Sequence, residues 1–590
     1  MTGPPSASRG PRLRWDMRTP FAFGALVLVA CGSSAPGQAT TPPPATPTAT
    51  VGTPARERGP DGVVLGPTRA AWWNDAVFYE VFVRSFADSA SGELAGDGIG
   101  DIPGLIEKLD YLNDGDPATT TDLGVTGLWL MPIHPSPSYH GYDVTDFRGV
   151  NPQYGTLDDF RRLIAACHKR GIRVILDLIP NHCSDTHPWF VGAADPASPT
   201  HDWFIWADAD PGWRGAWGQQ VWHKTKDGGA GGAAWYFGMF SRRMPDLNYR
   251  NARVSDEMLR VTDFWVDQEH GIGADGYRLD AIRHLVEDGQ VQENTPGTHA
   301  WLRKFHAELR RANPGAVSIG EVWTSSEVAS TYVGDELDMT FEFALAGAIV
   351  EAAGSGKAQG LIDAQAKVLR CYPPNQYGRF LSNHDQTRVM TSLKGDAGAM
   401  RSAAALLLLG PGVPFIYYGE ELGMTGEKPD ENLRTPMRWT ADERAGFTSG
   451  TPWEGLGKES RETCVAAESR DAGSLLAWYR RLIAVRGAHA ALAHGGYAPV
   501  DTGNPGVIAW LRTGDEPVMV VVNLTSAPVR DYALEAPGSA LKGEWLVREV
   551  LHGGASGAGA AKPIYELGAH EAYVLVMTAR GTEIPGAKRP

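Results

Sequence analysis

From Trp73 onward the chain alternates two kinds of hydrophobic pattern. Short, nearly continuous apolar runs fall at Val77–Val83, Gly127–Ile133, Arg173–Ile179, Ala274–Leu279, Val317–Val322, Leu337–Phe341, Arg379–Ser382 and Pro414–Tyr418. Between them lie stretches whose apolar positions recur every three or four residues, among them Leu157–Arg170, Val254–Gln268, Ala300–Ala312 and Ala399–Leu409. The first kind reads as strands buried on both faces and the second as amphipathic helices. Eight strands alternating with helices predict an α/β fold with a parallel sheet, most simply a closed (β/α)8 TIM barrel. An open doubly wound sheet is the structural alternative, which the polar residues collected at many strand ends disfavour.

The pattern breaks in three places. A long stretch rich in Trp, Gly and Asp separates the third run from the next helix, and it predicts a small inserted domain over residues 183–250. The barrel then occupies 63–182 and 251–490, ending on the helix around Trp478–Arg486. Beyond it, short runs at Val507–Leu511, Val518–Val522 and Ala572–Met577, bounded by Gly, Pro and Asp, predict a C-terminal antiparallel β-sandwich over 491–580. At the other end, Arg9, Arg12, Arg14 and Arg18 precede an apolar run, Phe21–Ala30, too short to span a bilayer. Residues 1–31 read as a secretion leader whose ending, Leu28-Val29-Ala30-Cys31, resembles a bacterial lipobox. That ending implies lipidation of Cys31 and an exported, lipid-anchored protein, with residues 32–62, rich in Pro, Thr and Ala, as a disordered tether. An ordinary cleaved leader is the alternative, and Asp16 in the basic region makes Met17 a candidate start.

Composition narrows the function. A net charge of −15 offers no basic face for nucleic acid, while 19 Trp in 590 residues suit stacking on sugar rings, although most will be packing. Apart from Cys31 there are four cysteines. Cys167 and Cys183 lie at opposite ends of one strand and cannot pair, and Cys371 with Cys464 is left open.

The candidate chemistry sits at strand ends. In Gly276-Tyr277-Arg278-Leu279-Asp280, Arg278 and Asp280 are two residues apart and share a face, so the guanidinium is expected to keep the carboxylate ionised. Glu321, in Ile319-Gly320-Glu321-Val322-Trp323, has an apolar and aromatic setting expected to raise its pKa. Asp385 follows His384 as a third carboxylate. One ionised and one protonated carboxyl are what cleavage of a glycosidic bond requires.

These strings, with DLIPNH at Asp177–His182, FLSNHD at Phe380–Asp385 and HGYD at His140–Asp143, resemble those of the α-amylase family, glycoside hydrolase family 13, in the same order. The likeness covers roughly Trp72 to Thr578. It implies a retaining glycosidase with Asp280 as nucleophile, Glu321 as acid and Asp385 as transition-state stabiliser. It also implies sugar binding by Tyr142, His140, His182, Arg278, His384 and Arg434, and by Arg283 and His284 on the leaving side. Met244-Pro245-Asp246-Leu247-Asn248 looks intermediate between the strings of oligo-1,6-glucosidases and neopullulanases, as in a group of bacterial lipoprotein α-amylases. Exo-acting members carry an Asp where this chain has Tyr139, which implies an open cleft and endo action on α-1,4-glucans. Leu433–Trp439 and Gly412–Glu421 resemble exo-glucosidases and trehalose-forming isomerases, so exo-glucosidase or isomerase action is the alternative, and a non-catalytic glucan-binding protein a remote one. The resemblance further implies Ca2+ at the loop of Glu93, Asp97, Ile99 and Asp101, or at Asn181. A monomer is expected, with an α-glucan as its partner, no nucleic acid, and the membrane reached only through the lipid.

Overall fold

The computed structural model of the chain describes residues 12–15, 64, 66, 71–225, 235–537, 540, 545–552, 555–560 and 566–579. Eight parallel strands close into a barrel: β1 Phe78–Val81, β2 Gly127–Leu130, β3 Arg173–Leu178, β4 Gly276–Leu279, β5 Val317–Gly320, β6 Met339–Phe341, β7 Tyr377–Arg379 and β8 Val413–Tyr417. Closure is made where Phe415–Tyr417 of β8 pair with Phe78–Glu80 of β1. Apart from Arg173, the strand residues are buried on both faces, which is why they read as continuous apolar runs. Gly276 is fixed by this closeness: its φ is +149°, and a Cβ there would lie 2.0 Å from the Val317 carbonyl oxygen of β5.

Strand boundaries move where the chain turns to present polar groups. Val83, read as the end of the first strand, instead opens a helical turn over Val83–Phe86. β7 begins at Tyr377, two residues earlier than the apolar run suggests, because Tyr377 and Gly378 pair with Thr340 and Phe341, while Phe380–Ser382 leave the sheet ahead of His384.

Two further bodies flank the barrel. Between β3 and the helix Ala252–Val266, a three-stranded antiparallel sheet of Trp206–Ala207, Trp235–Phe237 and Trp222–Lys224 packs around Val221, Trp222, Phe237 and Met239. It is tied back to the barrel by the backbone bridge His182 to Asp246 and by the Leu247 N–H, which donates to the Asn181 carbonyl. At the C-terminus six antiparallel strands between Gly496 and Ala579 form one sheet with both faces covered. Val518, Val520 and Val522 join the main core with the helix Ala397–Leu409, while Met519 and Val521 face Leu534, Tyr573 and Leu575. Leu534–Pro537 lies beside the first strand of that sheet and pairs with Arg12–Trp15, which falls inside the stretch read as a leader. Cys31 and residues 32–62 lie outside the described residues.

Where barrel and C-terminal sheet meet, three fully buried arginines carry no carboxylate. Arg379 donates to the carbonyls of Leu406 and Pro411, Arg486 to those of Leu408, Gly410 and Gly412, and Arg512 to those of Leu492, Gly495 and Gly496. Several of these are the orphan carbonyls that end the helix Ala397–Leu409, which guanidiniums cap well. Burial lowers Arg486 to about 9 and Arg512 to about 10, and the arginines push one another down further. Cys167, Cys183, Cys371 and Cys464 form no disulfide.

Candidate active site

At the C-terminal ends of the strands, one guanidinium organises the mouth of the barrel. Arg278 ends β4, is 1% exposed, and lies over the Trp129 ring of β2 at 5.2 Å. Its Nη1 donates to Asp177 Oδ1 and Asp280 Oδ1, both at 2.8 Å, and its Nη2 to Glu321 Oε2 at 2.9 Å. The two carboxyls read as nucleophile and acid are therefore held by the two ends of one planar group. Ala281, directly after Asp280, adopts φ 52°, a strained left-handed conformation for a residue with a Cβ. That turn aims its N–H at Glu321 Oε2, 3.2 Å away.

The electrostatics correct one expectation. Burial pushes Asp280 up to about 6, with Arg278 pulling it down and Asp177 and Asp385 adding to the rise. Its guanidinium neighbour thus limits the shift without reversing it. Asp280 is still mainly ionised at neutral pH. Burial raises Glu321 to about 7, again against Arg278 and with Asp280 and Asp385 reinforcing it, so it keeps its proton where Asp280 has lost its own. Asp177 is raised to about 6, burial outweighing Arg278.

A second chain of polar groups crosses the floor. His384 is fully buried, with Nδ1 2.6 Å from Glu80 Oε1 and Nε2 2.6 Å from the Tyr142 hydroxyl and 3.3 Å from Asp385 Oδ2. Burial opposes its charge, yet Asp385 and Glu80 raise it to about 10, so it is an imidazolium donating on both sides. Tyr142 in turn donates to Asp177 Oδ2 at 3.1 Å and lies flat against the His384 ring at 5.5 Å. Burial pushes Asp385 upward, but His384, Arg434 and Arg278 hold it well below the usual carboxylate range. Arg434 fixes it by an Nη2 bond of 2.8 Å, and 37% of the Asp385 side chain stays open to the cavity. His140 stacks on Tyr142 at 6.1 Å.

The other sequence-derived positions occupy the rims. Arg283 Nε donates to His284 Nε2 at 3.0 Å and its Nη1 to the Trp323 carbonyl at 2.7 Å, so the pair lies beside the strand-end loop that carries Glu321. His284, lowered to about 4 by burial, is neutral, and its Nδ1 donates to the Gln292 carbonyl. His182 is buried, takes Asn181 at Nδ1 and leaves Nε2 without a protein partner. Tyr139 stacks on Trp453 at 5.2 Å under Arg434.

Sequence reasoning passed over Glu80, which together with Asp385 raises His384 and favours its charged form. The only signal was an acid inside the otherwise apolar run Val77–Val83. It also gave Asp177 no role, although Asp177 carries both Arg278 and Tyr142.

The expected calcium loop does not fit a cation well. Asp97 Oδ1 accepts from the Ile99 N–H, and Asp101 uses both oxygens on Gly104 and Ser89 as a helix cap. Among the described residues no three of His, Cys, Asp and Glu gather as a metal-binding set. Unsatisfied oxygens occur instead on the seam between inserted domain and barrel. Asp246, which interacts with Asn181, leaves Oδ2 buried without a partner, and Glu287 leaves Oε1 so.

A closed barrel with paired carboxyls on a buried arginine, one ionised and one protonated, defines a barrel glycosidase. Residues 80–495 match the family model described as "Alpha amylase, catalytic domain", and the chain belongs to the α-amylase family. It is 37% identical over 460 residues to "Alpha-amylase 3" of Dictyoglomus thermophilum, covering 77% of this chain and 85% of that one. It is 34% identical over 507 residues to "Trehalose synthase/amylase TreS" of Mycolicibacterium smegmatis, covering 76% and 81%. Among solved structures, the α-amylase from H. orenii superposes with a TM-score of 0.74 at 36% identity, covering 85% of this chain and 99% of that one.

Proposed function

We propose that the protein is a retaining, endo-acting α-amylase that hydrolyses α-1,4 bonds in starch, glycogen or maltooligosaccharides. The carrying observation is that Asp280 and Glu321 are bound to the same guanidinium, which supports the close carboxyl pair of retaining enzymes. Asp280 attacks the anomeric carbon while Glu321 passes its proton to the departing oxygen. Water, deprotonated by the Glu321 carboxylate, then opens the glycosyl ester. Asp385, kept anionic by His384 and Arg434, grips the hydroxyls of the distorted sugar, and Tyr142 forms the floor beneath it.

Endo action is supported by Tyr139, which stands against Trp453 where a blocking carboxylate would close the pocket. The likeness to a trehalose synthase/amylase favours exo or isomerase action as the second reading. A maltoheptaoside blocked at its non-reducing end separates the two. Internal fragments are expected; no cleavage, with glucose or trehalose made from free maltose, would establish the second reading.

A structural calcium ion, if bound, belongs on this reading at Asn181, Asp246 and Glu287 rather than at the 93–101 loop. Calcium is then expected to raise Tm after EDTA treatment, and Asp246→Asn to abolish that rise. Export as a lipoprotein anchored through Cys31 is the accompanying proposal, supported by the apolar run Phe21–Ala30 and its ending Leu28-Val29-Ala30-Cys31. Intact-mass analysis of the mature N-terminus tests it.

A further inference from the structure

One acid stands where the barrel closes, among aromatic rings. Glu80 is 2% exposed and lies on β1 between its register partners, Trp129 of β2 and Tyr417 of β8. It shares its face of the strand with Phe78, which stacks on Phe415 at 4.6 Å in the cluster that also holds Trp129. A carboxyl in such a place is costly unless a partner offsets it. Its partner is His384, whose Nδ1 lies 2.6 Å from Glu80 Oε1 and whose ring is fully buried with Trp129 against it at 5.8 Å.

A glutamine of nearly the same shape would bond a neutral imidazole without placing an acid in the interior. A carboxylate does what a glutamine cannot: it favours the form of His384 in which both ring nitrogens carry a proton. Nε2 then only donates, so the Tyr142 hydroxyl 2.6 Å away accepts, and the hydroxyl's own proton goes to Asp177 Oδ2 at 3.1 Å. Asp177 accepts in turn from Arg278 at its other oxygen. Every hydrogen bond across the floor from β1 to β4 thereby has one direction.

The remaining charges around His384 come from four elements. Asp385, next in the chain, lies 3.3 Å from Nε2, but its side chain is partly open to the cavity. Asp177 acts on the ring from β3, and Arg434 donates to the His384 carbonyl at 3.0 Å. Behind Glu80 stand Tyr417 and Glu420, and burial pushes Glu420 up to about 8, so it is mainly neutral at pH 7. Glu80 is thus the buried acid bonded to Nδ1, on the side of the ring away from the substrate.

We propose that Glu80 is a positioning residue for the reaction: it keeps His384 charged, which locks the Tyr142 ring beneath the sugar and holds Asp385 as an anion beside it. The inference rests on the glycosidase reading above. Without the Glu80 charge, His384 loses a proton more readily, Nε2 becomes an acceptor for Tyr142, and the bond from Tyr142 to Asp177 is given up.

The test uses the full chain and α-maltotriosyl fluoride, whose leaving group needs no proton from Glu321, so the alkaline limb set by that residue is absent. Wild-type kcat/KM is expected to change by less than about twofold between pH 7 and 9, and that of Glu80→Gln to fall at least ~5-fold over the same range. Glu80→Asp, which keeps the charge, is expected to restore most of the wild-type profile. Equal profiles for the wild type and Glu80→Gln, or an equal fall in Glu80→Asp, overturn the proposal. Should Glu80→Gln fail to fold, imidazole 15N NMR of the wild type decides, with the His384 signals assigned by their loss in His384→Asn. Both ring nitrogens are expected to stay protonated up to pH 9, and a neutral ring at pH 8 overturns the proposal. Failure of the wild type to turn over the fluoride would instead overturn the glycosidase reading.

Discussion

Two sets of buried arginines, at opposite ends of one barrel, show how little burial alone says about function. Arg278 at the mouth and Arg486 at the base are each 1% exposed. Arg278 faces Asp177, Asp280 and Glu321, groups that change charge, whereas Arg486 faces only carbonyls, which do not. The same guanidinium is thus a regulator of proton affinity at one end and a clamp on a helix terminus at the other. Ionisable partners separate a reactive cluster from a structural one.

Removing the mouth's chemistry should break the comparison most visibly. Asp280→Asn is expected to lower kcat by ~10^4-fold or more with Tm close to wild type, measured on maltoheptaose with thermal melts alongside. Glu321→Gln should cost ~10^3-fold and should also erase the alkaline limb of the pH profile. That limb is expected near pH 7, where wild-type Glu321 loses its proton, and the acid limb near pH 6, where Asp280 gains one. A kcat/KM profile flat from pH 5 to 8 would contradict both assignments. At the base, Arg486→Met should do the reverse. It leaves buried carbonyls unpaired and costs about 2–4 kcal/mol of stability, while activity per folded molecule holds, as denaturant melts and active-site titration would show.

The smallest effect concerns a buried acid in neither cluster. Glu420 accepts from the Tyr479 hydroxyl, and burial raises it to about 8, with Glu421 adding to the rise. Its proton is retained on folding, so its stabilising share is complete below the unfolded value of 4.5 and declines as pH climbs towards 8. Glu420→Gln should therefore gain in Tm over the wild type between pH 5 and 8, by the equivalent of about 2 kcal/mol at the upper end. Equal slopes of Tm against pH for the two proteins would refute it.

The barrel was legible because its strands are buried on both faces and carry unbroken apolar runs. The site was legible where chemistry and strand end coincide, as in Arg278 and Asp280. β7 was misplaced because Tyr377 and Gly378 carry no run of their own, and pairing with β6 decides their state. Glu80 was missed because a lone acid within a strand has no local pattern, and its partner His384 lies 304 residues away. The net lift of Asp280 could not be read from its neighbours in sequence, since burial is a property of the closed barrel. In the loop 93–101 the resemblance implied a cation, whereas hydrogen bonds to nearby backbone and side-chain groups engage Asp97 Oδ1 and both oxygens of Asp101.

The inserted domain has a consequence in time and temperature. Its own core is little more than Val221, Trp222, Phe237, Met239 and a few flanking rings, far less than an independent fold requires. It therefore borrows its order from the barrel through the bonds at Asn181 and His182, and should open first on warming, well before the barrel melts. Heat would then silence this protein in two stages, a reversible loss of activity followed at higher temperature by unfolding, and a brief exposure between the two would leave a molecule that recovers on cooling.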